Sequence, residues 1–198
     1  KPMVVFTDTW GDFVSNQANG WGTTFTPAKA TIDPAATEIP QTVYLLDWTF
    51  AKSSSSSGMT AGDTYLVIFN TTTVAEMNAD TLVAVSTNSV DCDAAAPSGL
   101  MTWEFNYVAL DKDTEYALMF SSAPNAAGIP MSQGVELEVG NPYVYGGFIR
   151  VDEISNDWDP DFVATYNTGK PTDPYATDPS PVDGAVKVPV TTDLSWSA

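Results

Sequence analysis

Histidine is absent from the 198-residue chain, cysteine occurs once, and Lys and Arg together number 7 against 25 Asp and Glu. Each shortage removes a class of function. Without histidine there is no Ser-His-Asp or Cys-His relay, no His-ligated zinc and no general base with an ordinary pKa near neutrality. A single thiol, Cys92, allows no internal disulfide and leaves the redox compartment unread. Between Asp91 and Asp93 it reads as a bystander. So few cations cannot neutralise the carboxylates internally, and the formal net charge is −18. Such a surface repels phosphate backbones and anionic lipid, which makes membrane surfaces poor partners and excludes nucleic acid. It suits divalent cations, or salt that screens the self-repulsion. No apolar run reaches the roughly 18 residues of a membrane-spanning helix, so no membrane insertion is expected. The chain opens on Lys1-Pro2 without a signal peptide, so a secreted protein is expected to have lost its leader or to carry it upstream.

What is present is a hydrophobic content of 43 % with 12 % aromatics, enough core for one large domain or two small ones. The dominant period is two. Met101, Trp103, Phe105 and Tyr107 alternate with polar residues in "MTWEFNY", and Tyr44, Leu46, Trp48 and Phe50 alternate in "TVYLLDWTF". Further strand candidates are "MVVFTD" near the start, "TYLVIFN", "TLVAVST", "EYALMFSS", "VELEV", "YVYGGFIRV" and "DFVATYN". Gly, Pro, Asn, Asp and Ser clusters separate them. No segment has a convincing 3.6 period, and "TTVAEMNADTL" offers one helical turn at most. The Ser-rich stretch 52–64 cannot pack and reads as an exposed loop. The expected fold is all-β, an antiparallel β-sandwich of jelly-roll type, over residues 1–168.

Three resemblances add to this. "ALDKDTEYAL" places Tyr116 at the entry of a strand behind a tight polar turn. It resembles the tyrosine corner of Ig-like and fibronectin-III sandwiches, which implies a bond from the Tyr hydroxyl back to the preceding loop. Pro171, Pro174, Pro179 and Pro181 then make residues 169–181 a semi-rigid linker. Beyond it, Asp183-Gly184-Ala185, Val188-Pro189 and Leu194-Ser195-Trp196 resemble the opening of the Ig-like modules strung along large secreted bacterial proteins. That resemblance implies that residues 182–198 are the truncated start of a neighbouring module. The body itself is similar in pattern to the sandwich carbohydrate-binding modules that accompany such proteins.

Two constellations are candidate sites. In "SNDWDPDF", Asp157, Asp159 and Asp161 alternate beside Asn156, and alternating carboxylates can surround a hard Ca²⁺ when the backbone loops. An EF-hand is excluded, because Phe162 stands where its glycine belongs and Thr168 where its closing Glu belongs. A structural sandwich-type calcium site remains open, with Asp8, Asp12, Asp91, Asp93, Asp111 and Asp113 as weaker donors. The second constellation is aromatic. Trp48 and Trp103 belong to alternating strands and are expected in the core. Trp10 and Trp21 stand beside glycine in turn-like sequence, Trp158 lies in the acidic stretch, and Tyr143 and Tyr145 fall in "NPYVYGG". Aromatics held on loops present a flat apolar face with a polar edge, the shape that stacks on a sugar ring. Glu136 and Glu138 lie on one face of "VELEV" roughly 7 Å apart, within glycosidase range, but nothing nearby assists them.

The expectation is therefore a noncatalytic carbohydrate-binding module of a secreted or cell-surface protein. Its partners are a neutral polysaccharide and neighbouring modules of the same chain, with Ca²⁺ as a structural ion. The alternative is a structural or adhesive spacer with no sugar site.

Overall fold

The computed structural model describes residues 5–9, 21–27, 39–52, 62–96, 98–126, 135, 137–139, 148–150, 153–155, 158–160, 162–170, 177–180 and 195–197. They form an all-β fold whose two main sheets are antiparallel. The first sheet has the order β1-β13-β3-β7, built from β1 (Val5–Thr9), β13 (Phe162–Asn167), β3 (Thr42–Ala51) and β7 (Leu100–Asp111). The second has the order β11-β10-β2-β8-β4-β5, with β6 on the other end of β4. Its strands are β11 (Glu153–Ser155), β10 (Phe148–Arg150), β2 (Trp21–Phe25), β8 (Tyr116–Ser121), β4 (Asp63–Phe69), β5 (Leu82–Val85) and β6 (Val90–Asp91). Two small ladders stand apart: β9 (Leu137–Val139) with β12 (Trp158–Pro160), and β14 (Thr177–Ser180) with β15 (Ser195–Ser197). For β1, β9 to β12, β14 and β15 the description covers the backbone only.

The sheets stack face to face through aromatic rings. Phe25 of the second sheet meets Trp48 of the first edge-on at 4.8 Å, and Phe120 meets Phe50 at 5.3 Å and Trp103 at 5.7 Å. Trp48 and Trp103 are both fully buried, as their alternating strands predict. Such ring pairs each add about 0.5–1.5 kcal/mol to the apolar area they bury.

A bulge sets which residues reach this core. Leu46 on β3 has no partner on β13, while Phe105, Asn106 and Tyr107 all stand against it on β7. The side-chain phase therefore switches along both strands. Val43 and Leu45 point inward before the bulge, and Trp48 and Phe50 after it. The even alternation expected for Tyr44, Leu46, Trp48 and Phe50 holds only for the last two. On β7 the switch falls at Tyr107, which has φ 51° and leaves the inward row of Met101, Trp103 and Phe105.

The second sheet is covered on both faces. Leu66, Ile68, Leu118 and Phe120 join the central core, while Val67, Phe69, Ala117 and Met119 form a second cluster on the opposite face. Met77 and Val74, around a short 3-10 turn at Val74–Glu76, and Ala126 pack on that outer cluster. The "VAE" turn is the single helical turn that the sequence allows.

One edge of the sandwich is closed by a strand that changes sheets. Residues 82–85 pair with β4 as β5, and residues 90–91 pair with β4 again as β6. Between them the chain crosses to β7. The Ser86 N–H donates to the Leu66 carbonyl at 2.8 Å, and Ser86 Oγ accepts from the Leu66 N–H at 3.1 Å. Thr87 N–H then donates to the Glu104 carbonyl at 2.8 Å. The Asn88 amide imitates a strand residue, donating to the Thr102 carbonyl at 3.1 Å and accepting from the Glu104 N–H at 2.6 Å. The edge of β7, which would otherwise present unpaired backbone groups, is thereby occupied.

The turn into β8 has the predicted corner. Tyr116 is buried and its hydroxyl accepts the Asp111 N–H at 3.0 Å. Among the described residues no helix is long and apolar enough to cross a membrane.

Candidate functional site

Of the residues proposed from sequence, Trp10, Tyr143, Tyr145, Asp157 and Asp161 lie outside the described residues, as do Asp12 and Glu136. Trp21 opens β2 opposite Arg150, so it belongs to a strand and not to a turn. The glycine beside it, Gly22, marks close packing: a Cβ there would strike the Leu118 carbonyl oxygen and Met119 Sδ of β8. Trp158 and Asp159 lie in β12, an extended segment opposite Val139 and Glu138. The register thus brings Glu138 and Asp159, drawn from the two acidic motifs, directly opposite each other. Among the weaker donors, Asp91 Oδ1 accepts the N–H groups of Asp93 and Ala94, and Asp111 Oδ1 accepts the Thr42 hydroxyl. Among the described residues no three carboxylate or thiol groups converge on one point.

The described residues assemble a different surface, the outer face of the four-stranded sheet. Two rows run across it. One joins Thr165 on β13, Asp47 on β3 and Glu104 on β7; the next joins Val163, Thr49 and Thr102. Thr49 and Thr102 share a hydrogen bond of 2.8 Å between their hydroxyls. Half-buried Tyr44 lies on the same outward phase, before the bulge. Sequence reading passed over this face because it looked for aromatics in loops, whereas the alternation that buries Trp48 and Trp103 necessarily turns Asp47, Thr49, Thr102 and Glu104 outward.

Electrostatics distinguishes Asp47. Its half-burial raises the carboxyl above the ordinary value of 3.8, the Thr165 hydroxyl bond opposes the rise, and the Glu104 charge adds to it. The neutral form is thus favoured more than in water.

A second cluster is structural. Lys52 is buried, and its Nζ donates to the carbonyls of Asp93 at 3.0 Å and Ala95 at 2.5 Å. Its backbone N–H donates to the Gly99 carbonyl, and its own carbonyl accepts from Ser98. One lysine therefore holds the loop between β6 and β7 at both ends. Beside it Cys92 is fully buried, and burial above all pushes its thiol up to about 11, with the Thr64 hydrogen bond and the Lys52 charge opposing and Asp91 adding. A protonated, enclosed thiol is no nucleophile, in keeping with the bystander reading.

Comparison with family models, curated proteins and solved structures gives no match for this chain. The likeness to carbohydrate-binding and Ig-like modules stands on the sequence pattern alone; the all-β sandwich is seen in the strand pairing.

Proposed function

We propose that the chain is a noncatalytic carbohydrate-binding module that holds a larger secreted or cell-surface protein on a neutral polysaccharide. The observation that carries this reading is the outer face of the four-stranded sheet. There an aromatic ring, Tyr44, shares a sheet face with the Asp47 and Glu104 carboxylates and the Thr49, Thr102 and Thr165 hydroxyls. Carboxylates and hydroxyls accept the hydroxyl protons of a sugar, and the ring offers a stacking surface. The pair of carboxylates and the net charge of −18 disfavour sulfated or uronic-acid polymers. Trp10, Trp21, Tyr143, Tyr145 and Trp158 are proposed as further stacking contacts. A calcium ion held with Asp157, Asp159 and Asp161 is proposed as a structural ion.

A second reading has one observation in its favour. Directly opposed strand residues hold their Cβ atoms about 5 Å apart, which is compatible with the carboxylate separation of retaining glycoside hydrolases. Asp47 and Glu104 stand so opposed. They lie on an open sheet face, however, with Glu104 exposed, where water is not excluded from a reacting centre. Binding is therefore preferred over cleavage. Affinity electrophoresis through gels containing one polysaccharide each tests the proposal. Retardation without release of reducing ends supports it; release of reducing ends supports hydrolysis; migration unaffected by every polymer supports the spacer.

A further inference from the structure

Three cross-strand registers set acid against acid. Asp47 on β3 opposes Glu104 on β7, Asp63 on β4 opposes Asp91 on β6, and Glu138 on β9 opposes Asp159 on β12. Like charges at directly opposed antiparallel positions, about 5 Å apart at Cβ, destabilise the pairing. Neither lysine with described ammonium contacts donates to a carboxylate of these pairs. Lys52 donates to the carbonyls of Asp93 and Ala95, and Lys112 to that of Ile39 at 3.2 Å. With 7 basic against 25 acidic side chains, the sequence has few others to offer.

We propose that these opposed pairs make the sandwich an ionic-strength-responsive fold, which takes its missing countercharge from mobile cations and gains stability as salt rises. No ion at a fixed site is required. Two length scales separate this effect from the general repulsion of an acidic surface. The Debye length is about 10 Å at 0.1 M salt and about 3 Å at 1 M. Repulsion between distant charges is thus largely screened by 0.1 M, whereas groups about 5 Å apart go on being relieved up to about 1 M.

Thermal unfolding at pH 7, with EGTA present to remove divalent ions, tests the proposal across 10 mM to 1 M NaCl. Two double variants each remove two negative charges: Asp47→Asn/Asp63→Asn relieves two opposed pairs, and Asp80→Asn/Glu115→Gln removes exposed acids that belong to no strand register. The wild type is expected to gain Tm through the whole range. Above 0.1 M the register variant, with two of the three pairs relieved, should lose roughly two thirds of that gain, and the control variant should keep it. A wild-type Tm that is flat or falls with salt overturns the proposal. Equal salt responses in the two variants overturn it as well, because the effect would then follow net charge and not register.

Discussion

Trp48 and Trp103 are both fully buried in the same core, yet their indole nitrogens differ. Trp103 Nε1 donates to the Thr64 carbonyl at 2.8 Å, while Trp48 Nε1 has no partner among the described residues. Trp48 is held by stacking on Phe162 at 4.4 Å and by Phe25. Replacing either by Phe removes similar volume, but only Trp103→Phe also removes a hydrogen bond. Trp103→Phe should therefore be the more destabilising, by about 1 kcal/mol in urea unfolding. Equal losses would show that the Thr64 bond contributes nothing net. Asp47 gives a prediction with a pH sign. Its carboxyl value is raised in the folded state, so the neutral form is the one the fold favours. That contribution is complete below the unfolded-state value near 3.8 and is lost as pH rises through the folded value. At pH 7 the ionised group therefore opposes folding, and Asp47→Asn should stabilise by up to about 1 kcal/mol, discounted for its half-exposed position. The gain should fade as the medium is acidified toward pH ~3. A gain that persists there would assign it to something other than charge.

Among the elements, the most consequential is the segment from Leu82 to Asp91, which pairs with β4 at both ends and with β7 in between. Asn88 supplies both a donor and an acceptor to β7. Asn88→Ala should cost about 1–2 kcal/mol, and it uncovers a strand edge, so faster aggregation during heating is expected alongside the lower Tm. Unchanged Tm and aggregation would mean that Thr87 alone closes the edge. Most of the longer strands were legible. All nine segments read from period two or from apolar runs contain strands, and the Tyr116 hydroxyl bond follows from its corner motif. Three features were not. β2 was hidden because Gly22 reads as a turn residue, when its missing Cβ is what lets β2 approach β8. The bulge at Leu46 was hidden because apolar residues occupy both phases of "VYLLDW", so alternation there fixes no face. The crossing at Ser86 to Asn88 depends on side chains imitating backbone, which leaves no periodic trace.

For the molecule as a whole, composition reached furthest. The absence of histidine, the thin supply of cations and the net charge of −18 bear directly on which chemistry and which partners the surface can support. The candidate face was less legible, because Asp47 and Glu104 lie 57 positions apart by their residue numbers and only the β3–β7 register makes them neighbours. At the far end of the chain, β15 (Ser195–Ser197) pairs with β14, which lies within the proline-rich stretch. The central claim is that this sandwich binds neutral polysaccharide without cleaving it, through its outer sheet face and its aromatic residues. Affinity electrophoresis of the wild type beside Tyr44→Ala, Trp10→Ala and Trp21→Ala tests that most directly, with native folding of each variant checked by its Tm. The account predicts that at least one neutral polysaccharide retards the wild type, and that a folded Tyr44→Ala variant migrates nearly as fast as in a gel without polymer. Wild-type migration that no polysaccharide alters, with calcium or without it, would contradict the claim.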